Sequence, residues 1–173
     1  MSPRRERFGS VTDAGIELHA WGDESARTVG LETPAYLLGA VVADPAACQT
    51  FRDRMRELQT TRSKLHWHEL DAKHRDLVIA AVADFDLYHV VVIGTPMNHR
   101  KQERARALCL ERLARELDEQ HEVSQLILES RPQSLIRRDR RTIDALRGRN
   151  ALSHASALIM VCPWQSRCSG SPT

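Results

Sequence analysis

The sequence predicts an α/β domain built on a mixed sheet. Segments typical of strands alternate with segments typical of helices along the chain. Its 173 residues are enough for one domain with a hydrophobic core. Hydrophobic residues make up 42% and charged residues 28%, which is typical of a globular protein, and the net charge of +2 excludes a strong polyelectrolyte.

The strands are predicted from alternation of apolar and polar residues and from short apolar runs. They are residues 16–21, 35–42, 88–93, 123–128 and 158–162. Gly22 is expected to mark a turn or the end of the first strand. Residues 35–42 are apolar on both faces, which predicts a central strand, and residues 88–93 predict a buried one.

The helices are predicted from apolar residues at spacings of three and four. The first helix is predicted to begin at residue 44, and three more are predicted at residues 72–85, 100–120 and 140–146. Asp44 and Pro45 are expected to start the first helix, because Asp is a favourable N-cap and Pro is tolerated at the first helical position.

Composition also indicates the cellular setting. The four cysteines show no CxxC spacing, so neither a zinc knuckle nor a disulfide scaffold is indicated. No apolar run approaches the roughly 20 residues that a membrane span requires. Residues 1–9 are polar and arginine-rich with no apolar segment behind them, which does not resemble a signal peptide. We therefore expect a cytoplasmic protein that does not enter a membrane.

Three carboxylates are candidates for chemistry. Asp23 and Glu24 are expected just past the end of the first strand, and Glu129 just past the end of a later one. Carboxylates held at strand ends suit Mg²⁺ or Mn²⁺, which prefer oxygen ligands and can promote phosphoryl displacement. The alternative is that Asp23 and Glu24 cap a turn and that Glu129 is a solvated strand end.

Several segments, taken in order, carry a resemblance to a known family. They are Trp21-Gly22-Asp23-Glu24-Ser25 and residues 36–42, 64–67, 100–106, 128–131 and 138–141. Together they resemble the bacterial family catalogued as domain of unknown function 3800, over residues from about 16 to 150. The resemblance implies a ribonuclease H-like fold and a metal-dependent nuclease. In that function Asp23 and Glu129 would bind Mg²⁺ or Mn²⁺, Glu24 would assist, and water activated by the metal would attack a phosphodiester.

Basic residues predict contacts with nucleic acid. Seven arginines lie between residues 131 and 149, and such charges neutralise a phosphate backbone. The residues expected to hold nucleic acid are Arg131, Arg138, Arg140, Arg141 and Lys64. A solvated helix face is the alternative for the arginines, and a solvated surface position for Lys64. His66 is expected to transfer a proton or position the substrate, because a histidine titrates near neutral pH, and a surface position is the alternative.

The C-terminal segment departs from the pattern that the resemblance implies. That pattern ends in Asp-His, then Pro-Leu-Leu-Trp, then an Asp that opens the last helix, and none of these is present here. One choice of codons for residues 155–173 encodes such a segment in a shifted frame, so we hypothesise a frameshift. The predicted organisation is then a flexible segment at 1–15, a domain at 16–154 and an aberrant tail at 155–173.

Two consequences follow from the missing segment. Without the last carboxylate we expect weak metal binding and impaired activity, because ligand number and charge set the affinity. Without the last helix we expect uncovered sheet surface that favours self-association. The rival hypothesis is a non-catalytic module that binds nucleic acid or another protein.

Overall fold

The computed structural model describes residues 17–59, 65, 67–85, 87–152 and 157–160. Over these residues the chain forms a five-stranded sheet with four α-helices. In chain order the elements are β1 (His19–Arg27), β2 (Ala35–Ala43), α1 (Cys48–Glu57), α2 (Ala72–Ala83), β3 (Tyr88–Gly94), α3 (Gln102–His121), β4 (Gln125–Leu128), α4 (Gln133–Gly148) and β5 (Ala157–Met160). The predicted N-terminal segment at residues 1–15 lies outside the described residues.

The sheet is mixed, as predicted. Its strand order is β3-β2-β1-β4-β5, with β1 in the centre. β2 pairs antiparallel with both β1 and β3, whereas β4 pairs parallel with both β1 and β5. Of the strand predicted at residues 158–162, the described part is present, since β5 (Ala157–Met160) pairs with β4, and residues 161–162 lie outside the described residues.

One face of the sheet forms the hydrophobic core with α3 and α4. Alternate residues of β2 point into this core, as expected from the two-residue repeat of a strand. The core residues from these three elements are Tyr36, Leu38, Ala40, Val42, Cys109, Leu110, Leu113, Ala114, Leu117, Ile143 and Leu146. The prediction that residues 35–42 form an internal strand is confirmed, since β2 lies between β3 and β1.

The predicted end of the first strand is wrong. β1 continues through Gly22 as far as Arg27, and the pairing with β2 extends from His19↔Ala43 to Arg27↔Ala35. A Cβ added at Gly22 would lie 2.8 Å from Leu128 Cδ2 and 3.0 Å from the Gly39 carbonyl oxygen. Glycine is therefore required by close packing within the sheet, and it does not form a turn.

The predicted burial of residues 88–93 is also wrong. β3 is an edge strand, and Tyr88, Val91 and Ile93 are each 59% exposed. Val90 and Val92 pack against the core, so one side of the strand is covered and the other is open. An apolar run of consecutive β-branched residues does not distinguish a covered strand from an edge strand.

Two helix boundaries differ from the prediction as well. α4 has 16 residues, where residues 140–146 were expected, because its buried stripe already begins at Ile136. α1 begins at Cys48, and Asp44 instead closes the preceding turn by accepting the Ala46 N–H at 2.8 Å. None of the described helices has the length and apolar character needed to cross a membrane.

Candidate active site

Asp23 and Glu129 each come directly after the last paired position of two neighbouring parallel strands, β1 and β4. The last paired positions of β1 and β4 are Gly22 and Leu128. Asp23 directly follows Gly22, and Glu129 directly follows Leu128. Neighbouring strands lie about 4.8 Å apart, so the two backbone segments are adjacent at this end of the sheet. Both acids are exposed. Glu129 follows the end of β4 as predicted, whereas Asp23 and Glu24 lie within β1, because β1 continues to Arg27.

Asp23 and Glu24 point to opposite faces of the sheet. Successive side chains of a strand alternate between faces, and Glu24 shares the face of the fully buried Ala20. That face packs against α3, where Glu24 Oε2 lies 2.7 Å from Nη1 of Arg106. Asp23 lies on the other face, and its Oδ1 accepts the Glu24 backbone N–H at 2.8 Å.

Glu24 belongs to a partly buried group of charged side chains that joins four parts of the fold. We call Glu24, Glu103, Arg106, Arg131 and Asp139 the ionic cluster. Glu24 comes from β1, Glu103 and Arg106 from α3, Arg131 from the segment after β4, and Asp139 from α4. The cluster therefore connects the central strand to both helices that cover it.

Arg106 lies at the centre of the ionic cluster, with its side chain 1% exposed. Its guanidinium donates three hydrogen bonds to Asp139, from Nε to both carboxylate oxygens at 3.1 Å and from Nη2 to Oδ2 at 2.9 Å. Nη1 also donates to the Tyr36 hydroxyl at 3.3 Å. Such charge-assisted, forked contacts are the strong form of hydrogen bond in proteins.

The surroundings of Arg106 and Tyr36 raise the pKa of both side chains. Burial opposes the charge of Arg106, but the hydrogen bonds to Asp139 and Tyr36 and the charge of Glu24 outweigh it, so the pKa of Arg106 is raised. Burial also raises the pKa of the Tyr36 hydroxyl, although the hydrogen bond from Arg106 acts in the opposite direction.

Arg131 is the second cation of the ionic cluster. Its side chain is 13% exposed and contacts three carboxylates. Nη2 donates to Oε1 of Glu103, Nη1 lies 3.5 Å from Oδ2 of Asp139, and Nε lies 3.8 Å from Oε1 of Glu24. The guanidinium that was predicted to hold nucleic acid is thus engaged within the protein.

The other predicted arginines lie on the solvent side of α4. Arg138, Arg140 and Arg141 are exposed, whereas the buried residues of this helix face α3 and the sheet. α4 begins four residues after Glu129, so its first turns follow closely on the candidate site. Both alternatives for these arginines, phosphate contact and a solvated helix face, are compatible with this placement.

The remaining predicted site residues, His66 and Lys64, lie outside the described part of the chain. Within that part, no three or more His, Cys, Asp or Glu side chains are grouped so that they could hold a metal ion. Asp23 and Glu129 would therefore form a site of two carboxylates. Their role as metal ligands stays a prediction.

Sequence reasoning missed Arg106 and Asp139, although a signal for both was present. Asp139 falls in the buried stripe of α4 between Ile136 and Ile143, at spacings of three and four. Arg106 falls in the same way in the stripe of α3 that continues with Leu110 and Leu113. A charged residue at a core position of each of two helices indicates a buried pair, because an unpaired buried charge is strongly unfavourable.

Comparison with solved structures identifies the fold. The crystal structure of the ribonuclease H2 from Pyrococcus horikoshii OT3 superposes with a TM-score of 0.50 and 16% sequence identity, covering 83% of this chain and 61% of that chain. The chain therefore has a ribonuclease H-like α/β fold, as the resemblance implied, and spans about three fifths of the length of that protein. No protein-family model and no curated protein matches the sequence. Membership of the domain of unknown function 3800 family and the frameshift both stay predictions.

Proposed function

We propose that this protein is a metal-dependent nuclease that hydrolyses phosphodiesters, with Asp23 and Glu129 as its metal ligands. The observation that supports this most strongly is the register of β1 and β4, because each of these exposed acids directly follows the last paired position of its strand in a ribonuclease H-like fold. Carboxylates on adjacent rigid strands are suited to holding a cation against a phosphate.

The donor set suits Mg²⁺ or Mn²⁺ better than a transition metal that prefers nitrogen or sulfur. Mg²⁺ is commonly held by one or two carboxylates and completes its coordination with water and substrate phosphate. When bound, the cation would supply Lewis-acid activation of water and of the phosphoryl oxygens. Since the described residues contain no third ligand, we expect weak binding and impaired activity.

The chain's own side chains would then perform distinct tasks. Asp23 and Glu129 bind the cation, and Arg138, Arg140 and Arg141 neutralise the phosphate backbone from α4. Glu24 assists from the opposite face of β1, through its contact with Arg106. His66 and Lys64 keep their predicted roles in proton transfer and phosphate contact.

The test measures cleavage by the full chain of labelled DNA, RNA and RNA–DNA duplexes, with Mg²⁺, with Mn²⁺ and with chelator. Asp23→Asn and Glu129→Gln preserve side-chain size but remove a charged oxygen ligand, and each is expected to abolish metal-dependent cleavage. Glu119→Gln, at an exposed position near the end of α3, is the matched control and should leave cleavage unchanged. Absence of cleavage with every metal, or cleavage insensitive to both variants, would contradict the proposal.

The second candidate function is a non-catalytic module that binds nucleic acid. It is favoured by the exposed arginines of α4 together with the absence of a three-ligand group among the described residues. In that case nucleic acid would bind equally well with chelator and with Mg²⁺, and Asp23→Asn would not change the affinity. Arg138→Ala would weaken binding under either function.

A further inference from the structure

We propose that Arg131 is a positioning residue that fixes the Glu129 segment against β1, so that Asp23 and Glu129 can share a cation. This inference rests on the proposed function, because it concerns the same two acids. It assigns Arg131 a role inside the protein in place of the phosphate contact that the sequence suggested.

Arg131 anchors the segment between β4 and α4. Arg131 follows Glu129 by two residues, and α4 begins at Gln133. The Arg131 guanidinium contacts carboxylates from three separate elements: Glu24 of β1, Glu103 of α3 and Asp139 of α4. A short segment whose side chain is held at three points has little freedom to move, and Glu129 lies within it.

The same guanidinium is connected to Asp23 through Glu24. Glu24 is the residue next to Asp23, and its two carboxylate oxygens lie 2.7 Å from Arg106 and 3.8 Å from Arg131. Asp23 in turn accepts the Glu24 backbone N–H. Arg131 therefore bridges the neighbour of one proposed ligand and the segment of the other. Ligands must be held within about 0.5 Å of a productive geometry, so this bridge bears directly on cation binding.

The ionic cluster depends on Arg131 for its charge balance. It contains three carboxylates and two guanidiniums, and the side chains of Arg106, Arg131 and Asp139 are all largely buried. Without Arg131, one guanidinium would face three carboxylates, and their mutual repulsion would push β1, α3 and α4 apart at this point. The loss would therefore displace the segments that carry Asp23 and Glu129.

A phosphate contact by Arg131 would require a different environment. Residues that bind the nucleic-acid backbone present their charge to solvent and release counterions. The logarithm of the binding constant then falls linearly with the logarithm of the salt concentration, and each contact on B-DNA adds about 0.9 to this salt slope. The Arg131 side chain is 13% exposed and already paired, whereas Arg138 is exposed on the solvent side of α4. The two arginines should thus differ in their effect on salt dependence.

The experiment compares Arg131→Met, Arg131→Lys and Arg138→Met in the full chain, with Arg112→Met as a control on the surface of α3. Isothermal titration measures Mn²⁺ affinity, and nucleic-acid binding is measured from 50 to 200 mM salt. Arg131→Met should weaken Mn²⁺ binding by about tenfold, the lower end of the loss typical for residues that support metal ligands, without changing the salt slope. Arg131→Lys should weaken Mn²⁺ binding less, because a lysine keeps the charge but makes fewer contacts.

The other variants separate positioning from general effects. Arg138→Met should reduce the salt slope by about one unit, and Arg112→Met should alter neither quantity. Unchanged Mn²⁺ affinity in a folded Arg131→Met, or a reduced salt slope in that variant, would overturn the inference.

A measurement that does not depend on metal binding keeps the inference separate from the proposed function. If the unmodified chain binds no Mn²⁺, the proposed function fails, and amide hydrogen exchange still tests the bridge. Arg131→Met should speed exchange at the amides of residues 129–131 and of Glu24, whereas Arg112→Met should not. Equal protection of these amides in Arg131→Met and the unmodified chain would overturn the bridging role itself.

Discussion

Replacing Arg106 by methionine should cost a large part of the stability of the fold. Methionine fills most of the volume of the arginine stem but removes the three hydrogen bonds to Asp139, the one to Tyr36 and the 2.7 Å contact with Glu24. Asp139, whose side chain is 4% exposed, then loses its contacts with Arg106 and keeps the 3.5 Å contact with Arg131. Breaking a buried ion pair by removing one partner costs about 3–5 kcal/mol, against a total of about 5–15 kcal/mol for a typical protein.

Urea unfolding followed by circular dichroism measures this loss. With a denaturant dependence of about 2 kcal/mol per molar urea, the unfolding midpoint should fall by about 1.5–2.5 M. Arg112→Met is the matched control, because its exposed pair with Glu116 contributes less than about 0.5 kcal/mol. In the double variant Arg106→Met/Asp139→Leu, the total loss should be about 1–3 kcal/mol smaller than the sum of the single losses. A loss under about 1 kcal/mol for Arg106→Met, or strict additivity in the double variant, would refute the reasoning.

Three further perturbations follow from the fold. Gly22→Ala places a Cβ 2.8 Å from Leu128 Cδ2, so it should lower the free energy of unfolding by about 1–3 kcal/mol in the same urea assay. An unchanged unfolding midpoint would contradict this close packing. Val91→Lys puts a charge on the exposed edge strand β3, so sedimentation velocity should show weaker self-association than in the unmodified chain; equal sedimentation at all concentrations would argue against this edge. Asp71→Ala should lower the melting temperature at pH 7 but not at pH 2. The backbone N–H of His74 donates to Asp71 and lowers its pKa. The stabilisation by Asp71 is therefore present above its unfolded pKa of about 3.9, and it is lost as the pH falls through the lowered pKa of the folded state.

The sheet and the longest helix could be predicted because their signals are local. β2 is apolar on both faces, and α3 carries apolar residues at helical spacing over 20 residues. The extent of β1 could not be predicted in this way, because the reason for Gly22 lies in Leu128, more than 100 residues further along the chain. A glycine required by a close contact and a glycine required by a turn look identical in a sequence.

The exposure of β3 depends on its position in the sheet, which its own residues do not specify. A run such as Val90-Val91-Val92-Ile93 is equally compatible with a strand covered on both faces and with an edge strand covered on one. The strand order places β3 at the edge of the sheet, and its side chains opposite the core face, such as Val91 and Ile93, are exposed. Long-range topology, and not composition, decided the outcome.

The acids of the candidate site show how far a linear motif can mislead about geometry. Asp23 and Glu24 are adjacent in sequence, which suggested that both serve one site at a strand end. Within a strand, adjacent side chains face opposite sides of the sheet, so the two carboxylates cannot converge on one cation from the same face. The exposed position belongs to Asp23, while Glu24 is matched by Arg106 on the helix-covered face.

A partner for Asp23 must therefore come from another strand at the same level of the sheet. Glu129 meets this requirement, since the parallel register of β1 and β4 brings the two residues level with each other. The distance between their carboxylates then depends on how firmly the segment after β4 is held, because Glu129 follows the last paired residue of its strand. Glu24, the acid next to Asp23 in the sequence, contributes to that restraint. Because Arg131 contacts Glu24, this contact helps to hold the segment of Glu129, whose carboxylate would complete the site with Asp23.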